Sequence, residues 1–275
     1  MMKRIGMIVP SLDNSFFSSL SYYTQRFMAE HDYMTLTVSS NNSAEIEKEA
    51  FRALIASGVS GIICASGLSR LPSDLIPDDF PLVWVDRIPS SERTVPWVAN
   101  DDADAMEKAA EHLIEKGCRH LLLMPGFIAE KQDNPRVRGF QRALEKHGIP
   151  FNPSCVLSRT GKESSEKETG DLITRVIKSG IKVDGIITSS DRAAFGVIKA
   201  LVEIGYFVPE DIRLISFDNS PYSSFASPAI TALDRKPDML SQRAGEVLIC
   251  LMENSGHVQT ENTIPVELVT RLTTR

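Results

Sequence analysis

VPEDIRLISFDNSPYSSFASPAIT, residues Val208 to Thr231, decides how the chain folds. Ile212 to Phe217 is an apolar run of strand type that ends on a carboxylate, Asp218. The Asn, Ser and Pro that follow are turn residues. Just upstream, Ile198, Leu201 and Val202 recur at helical spacing, and Gly205, free to take a positive φ, ends that helix. Helix, glycine and short apolar run together make the βα unit of a parallel sheet.

The same unit recurs on both sides of this stretch. Leu172, Ile173, Val176 and Ile177 line a helix that stops at Gly180, before a strand from Gly185 to Thr188. Phe140 and Leu144 lie on a helix ending at Gly148. Met106, Ala109, Ala110, Leu113 and Ile114 line another, which ends at Gly117 before the strand Leu121 to Met124. Nearer the N-terminus, strand-like runs fall at Ile5 to Val9, Leu36 to Val38, Ile62 to Ala65 and Leu82 to Val85. Phe16, Leu20, Tyr23 and Phe27 form one helix face. Asn42 and Ser43 cap a helix that buries Ile46, Ala50, Leu54 and Ile55 and ends at Gly58. About 100 residues of such units precede Asn100 and about 130 follow it, which predicts two α/β lobes. Doubly wound sheets bind ligands at the C-terminal ends of their strands, so two facing lobes predict a ligand in the cleft between them.

The composition narrows the function. With 275 residues and 42% hydrophobic content the chain can bury a sizeable core. Its formal net charge is -6 and its pI about 5.5, which suits nucleic-acid phosphates poorly. No apolar run approaches the roughly 20 residues of a membrane span. The opening MMKRIGMIVPSLDNS lacks a small-residue cleavage site and makes a poor secretory signal. Cys64, Cys118, Cys155 and Cys250 form no CxxC pair, and the expectation is free thiols in a cytoplasmic protein. GxGxxG, Walker, HExxH and GxSxG motifs are missing, and Gly161-Lys162 lacks the upstream glycine of a phosphate loop. The five histidines (His31, His112, His120, His147, His257) show no metal-ligand spacing, and His112 and His147 read as solvent-facing helix residues. A binding protein is expected, with no enzyme activity, metal or cofactor.

In order and spacing the chain resembles the lactose-repressor-type (LacI/GalR) family of transcription regulators. The blocks that carry the likeness are IGMIVPSLDNSFFSSL, GVSGIIC, PLVWVDR, NDDADAMEKAAEHLIEKGCRHLLLMPG, PRVRGFQRALEKHGI, VDGIITSSDRAAFGVIKALVEIGYFVPEDIRLISFDN, SPAIT and IPVELVTRLTTR. The resemblance implies the periplasmic-binding-protein-like type I fold, an α/β architecture of two doubly wound parallel-sheet (Rossmann-like) lobes joined by three crossovers. It places the crossovers near Asn100, Arg235 and Gln259. The first lobe is then residues 1–99 plus 236–258, with its last helix from Met239 to Glu253, and the second is residues 100–235 plus 259–275. The family's N-terminal helix-turn-helix and hinge helix are not visible, and Met1-Met2 would suit an added start codon. Operator DNA is therefore expected to be touched only through a helix-turn-helix that these residues do not contain. A homodimer is implied, with no membrane association and, lacking a leucine-heptad tail, no tetramer.

The resemblance also names site residues. Asp218 corresponds to the family's ligand-gripping aspartate, and a carboxylate there accepts hydrogen bonds from adjacent sugar hydroxyls; the alternative is a helix cap. Arg136 corresponds to the second-lobe arginine that reaches the ligand with a rigid donor fork, while Arg138 reads as a surface residue. Asp86 and Arg87 resemble the Asp-Arg pair of ribose-binding members of the wider fold; the alternative for both is an interlobe salt bridge. Phe16 and Phe17 offer rings for a sugar's apolar face, with Phe16 favoured and Phe17 open to a core role. Asp13 stands where an Asn is frequent and adds an acceptor. Ser190 occupies a polar contact position, with Asp191 read as the cap of the next helix. Arg235 lies at the second crossover, where relatives carry Gln. In GKESSEKETGDL the family's pocket-closing aromatic is replaced by Ser164 and Ser165, pointing to a polar ligand. The expected effector is a small sugar or polyol. The rival reading is an exported sugar-binding protein of a transporter, which would use the same fold.

Overall fold

The computed structural model describes residues 3–68, 75–77, 79–89, 94–126, 134–161, 164–255 and 258–275. Met1, Met2, Lys162 and His257, each named above, lie outside them. The chain divides into two compact units, Met1–Asn100 with Lys236–Ile264 and Asp101–Arg235 with Pro265–Arg275.

In chain order the first unit begins with β1 (Lys3–Val9), α1 (Ser15–Ala29), β2 (Tyr33–Ser39), α2 (Ala44–Ala56), β3 (Ile62–Cys64), β4 (Leu82–Val85) and β5 (Trp97–Asn100). The second unit follows with α3 (Asp102–Glu115), β6 (Leu121–Met124), α4 (Pro135–Lys146), α5 (Ser165–Lys178), β7 (Gly185–Thr188), α6 (Asp191–Glu203), β8 (Arg213–Asp218), α7 (Pro221–Phe225) and β9 (Thr231–Asp234). The chain returns to the first unit for α8 (Pro237–Glu253) and β10 (Glu261–Ile264), then ends in the second with β11 (Glu267–Val269).

The first sheet has the order β10-β5-β4-β3-β1-β2, parallel throughout. Its strands are apolar on both faces because helices cover both: Ile5, Met7 and Val9 pack toward α1 and α8, while Ile8, Ile62 and Trp84 pack toward α2. The second sheet has the order β11-β9-β8-β7-β6, with β11 antiparallel to β9 and the rest parallel. Leu123, Ile187 and Phe217 face α3 and α4, and Leu122, Ile186 and Leu214 face α5 and α6. Strand order reverses between β1 and β3 in the first sheet. In the second, Val156 bridges Leu123 in parallel on the far side of β6, so the reversal lies between β6 and β7. Doubly wound sheets offer a crevice at such a point, above the carboxyl ends of the strands.

Three boundaries differ from the sequence reading. Asn100 and residues 259–264 belong to the first unit, because β5 runs to Asn100 and β10 pairs along it from Glu261 to Ile264. The last passage between units therefore lies after Ile264, not at Gln259. Helix α8 starts at Pro237, whose missing N–H and fixed φ suit a first helical position, rather than at Met239.

Candidate functional site

On the second unit, β8 delivers Asp218 as a buried strand-terminal carboxylate, 6% exposed. The cap of α7 is Ser220, so Asp218 is not a helix cap. Its backbone takes φ 108° and Asn219 takes φ 55°, two consecutive non-glycine residues in the left-handed half of the map. Arg235 Nη1 lies 3.5 Å from Asp218 Oδ1, and both side chains are almost fully buried.

Arg136, in the first turn of α4, donates from Nε to Asp102 Oδ2 at 2.8 Å. Asn134 caps the helix and Pro135 starts it, fixing where Arg136 emerges. The approach of α4 to α3 requires Gly139: a Cβ there would stand 1.9 Å from the Ala103 carbonyl oxygen. The guanidinium carbon of Arg136 sits 4.0 Å from the centroid of the Phe217 ring, and that of Arg235 sits 5.1 Å from it. A desolvated contact of this kind is worth roughly 1–2 kcal/mol. Two arginines thus share one aromatic ring, each facing a carboxylate. Burial pushes the Asp102 carboxyl up, but the Arg136 and Arg235 guanidiniums outweigh it and hold it below its ordinary value.

Asp102 was not among the expected site residues. In NDDADA the visible signal is a helix start, and Asp101 does cap α3, accepting from Ala103 and Asp104 N–H. That Asp102 points elsewhere depends on α4, 34 residues away.

Ser190 and Asp191 exchange the expected capping role. Ser190 Oγ accepts from Ala193 N–H as the cap of α6, while Asp191, 1% exposed, accepts from Ser216 Oγ and from Ser220 N–H at 2.6 Å. Burial raises the Asp191 carboxyl's pKa, in spite of those hydrogen bonds and the nearby Arg271. Ser164 stands at the start of α5 without a side-chain cap bond. Beyond Ser165, Glu166 pairs with Arg192 at 2.7 Å, and Glu168 accepts from Thr160 Oγ1 and from Gly161 N–H. Arg138 is exposed, as expected of a surface residue.

On the first unit, Asp13 is exposed in the loop after β1, and Asn14 Oδ1 caps α1 by accepting from the Phe16 and Phe17 N–H groups. The two rings meet edge to face at 5.2 Å, and both are buried, at 3% and 5% exposure, in the core that includes Leu20 and Val85. Burial alone does not separate the two rings, since both pack in the core. Asp86 follows β4 with φ 64°, its N–H donating to Val98 O. Arg87 is exposed; it lays its guanidinium 5.2 Å from the Phe17 centroid and donates to Asn42 Oδ1 at 3.2 Å.

Glu47 is a second carboxylate that sequence reasoning missed. The predicted buried face of α2 included Ile46, yet Ile46 is 38% exposed and Glu47 only 1%. Glu47 accepts from Ser66 Oγ and from Gly67 N–H at 2.7 Å, so it turns inward to hold the loop after β3. Burial, then the Glu47 charge, pushes the nearby Cys64 thiol well up. All four cysteines lie outside disulfides. His112, read as solvent-facing, makes a 2.9 Å hydrogen bond with Thr274 Oγ1.

Among the described residues no group of three or more His, Cys, Asp or Glu is placed to hold a metal ion, and no helix is long and apolar enough to cross a membrane.

Residues 110–274 match the periplasmic binding protein-like domain family. The HTH-type transcriptional repressor PurR of Aliivibrio fischeri is 26% identical over 98% of this chain and 80% of its own length. The solved transcription regulator CcpA of Lactococcus lactis superposes with a TM-score of 0.88 at 24% identity, covering 100% of both chains. A LacI family transcriptional regulator from Enterococcus faecium, solved with bound ribose, superposes with a TM-score of 0.82 at 24% identity, covering 98% of each chain. The chain belongs to the periplasmic binding protein-like family and is similar along nearly its whole length to a transcriptional repressor and to regulators of the LacI type.

Proposed function

We propose that this core senses a small, uncharged sugar or polyol, bound in a cleft by strand-end residues of both units. The second unit contributes Arg136, Ser190, Asp218 and Arg235, and the first contributes Asp13, Phe16, Phe17, Asp86 and Arg87. The observation that carries the reading is the quartet around Phe217. Arg136 faces Asp102 and Arg235 faces Asp218, so each guanidinium is matched by a carboxylate. A phosphate would need cations in surplus, whereas vicinal hydroxyls can donate to Asp218 and accept from the arginines without disturbing the balance. Ribose in the Enterococcus faecium neighbour supports a ligand of this size and kind.

A ligand that engages both units favours one arrangement of them, and only such a preference can shift a conformational equilibrium. That preference alters operator affinity through a helix-turn-helix outside these residues, in a cytoplasmic homodimer with no catalytic role. A thermal-shift panel of D-ribose, D-xylulose, D-glucose, glycerol, ribose 5-phosphate and hypoxanthine tests the ligand class. A ligand at 100 times its dissociation constant stabilises by about 2.7 kcal/mol, a shift of roughly 5 °C for a chain this size. A neutral sugar or polyol is expected to give it. Stabilisation by the phosphate or the purine alone, or by none of the panel, overturns the reading.

A further inference from the structure

The C-terminal block VELVTRLTTR has no assigned part in ligand binding, yet Arg271 within it reaches the turn that carries Asp218. Its Nη2 donates to Asn219 Oδ1 at 2.7 Å and its Nη1 to Ile230 O at 2.7 Å. Its own backbone is held, since Arg271 N–H donates to Thr231 Oγ1 at 2.8 Å. Two residues on, Thr273 Oγ1 accepts from Thr231 N–H and donates to Leu214 O, stitching the chain end to β8 and β9. The buried Asp191 carboxylate also holds this turn, accepting from Ser220 N–H at 2.6 Å and from Ser216 Oγ. The turn held by these contacts, Asp218 to Ser220, includes the two residues at φ 108° and 55°. Such conformations are unfavourable for residues other than glycine and persist where surrounding contacts over-determine them.

We propose that Arg271 is a positioning residue for effector binding, clamping the Asp218–Ser220 turn against Asp191 so that the Asp218 carboxylate stays aimed off the end of β8. The inference rests on the reading of Asp218 as a ligand contact, but its mechanical part does not need a ligand to be tested. A rigid guanidinium reaches Asn219 and Ile230 together; a lysine has one ammonium and reaches one of them.

The experiment is amide hydrogen exchange on the whole 275-residue chain without ligand. Arg271→Ala is expected to speed exchange at Ser220 and Ser223 at least tenfold, while Leu122 and Leu123 of β6 keep their protection. Asn219→Leu, which removes only the acceptor, reproduces this loosening; Asn219→Asp, which keeps an oxygen for Nη2, retains wild-type protection. Unchanged exchange in Arg271→Ala and Asn219→Leu overturns the clamp, as does equal loosening by Asn219→Asp and Asn219→Leu. Should Arg271→Ala fail to fold, the two Asn219 variants decide alone. Titration of the same samples with D-ribose separates the two claims. A wild-type chain that binds no sugar removes the effector reading, while the exchange rates still decide whether the clamp exists.

Discussion

At the strand ends of the first unit a buried glutamate, Glu47, holds Ser66 and Gly67; at those of the second a buried aspartate, Asp191, holds Ser216 and Ser220. Both carboxylates come from the first turn of a helix, tie down the chain just past a strand, and spend their lone pairs on protein donors. Above these similar anchors the two faces diverge. The first presents the loop residues Asp13, Asp86 and Arg87, with the Arg87 guanidinium against one ring of a packed pair of phenylalanines. The second presents two arginines and two aspartates around one ring. The anchors are scaffolding and the faces are chemistry, and variants can pull them apart.

The largest expected effects lie in the anchors. Asp191→Ala strands the Ser216 hydroxyl and the Ser220 N–H in the interior, and Glu47→Ala strands the buried Ser66 hydroxyl and releases the loop at the exposed Gly67. An unsatisfied buried polar group costs about 1–3 kcal/mol, so chemical denaturation should show a loss of about 3 kcal/mol for each variant. A loss under about 1 kcal/mol in one of them would mean that the two anchors are not equivalent. Next comes Gly139→Ala, whose new methyl must displace the Ala103 carbonyl. Overpacking of this kind costs roughly 1–3 kcal/mol and should move Arg136 away from Asp102. No change in melting temperature would show that α3 and α4 yield easily.

A smaller effect concerns pH. The folded chain holds the Asp102 carboxyl below its ordinary value, so folding keeps it ionised. The stabilisation is complete above the ordinary carboxylate value and is lost as pH falls through the lower folded value. Asp102→Asn is expected to flatten that acid decline, measured by denaturation between about pH 5 and about pH 3. An acid limb identical to wild type would deny the coupling to Arg136 and Arg235. The smallest expected effect is Arg87→Gln, at most about 0.5–1 kcal/mol, because the side chain is exposed and its contacts with Phe17 and Asn42 are screened.

The sequence made the scaffold more legible than the site. Strands such as Leu121–Met124 and Gly185–Thr188 are uninterrupted apolar runs after a helix-ending glycine, and the structure places them at those residues. The strands Trp97–Asn100, Thr231–Asp234 and Glu261–Ile264 are four residues long and carry polar ends, so no periodicity marks them. Asp218 at the end of β8 and Arg235 just after β9 stand where the sequence reading puts them, and Arg136 is placed by its motif at the start of α4. Asp102, Glu47 and Asp191 could not be given their roles. A carboxylate in the first turn of a helix is what the helix dipole favours anyway, and only the arrival of distant donors turns it inward. Ser190 shows the same limit, since either of two adjacent polar residues could cap α6 and packing chose between them.

The most direct test of the central claim is calorimetric titration of the best-stabilising neutral sugar into the wild-type chain, Asp218→Ala and Arg136→Ala. Two charge-assisted hydrogen bonds lost with Asp218 correspond to roughly a 100-fold weaker dissociation constant, and the loss of Arg136 to roughly a 10-fold weaker one or more. Unchanged affinity in both variants, with the fold intact by circular dichroism, would contradict the placement of the effector site.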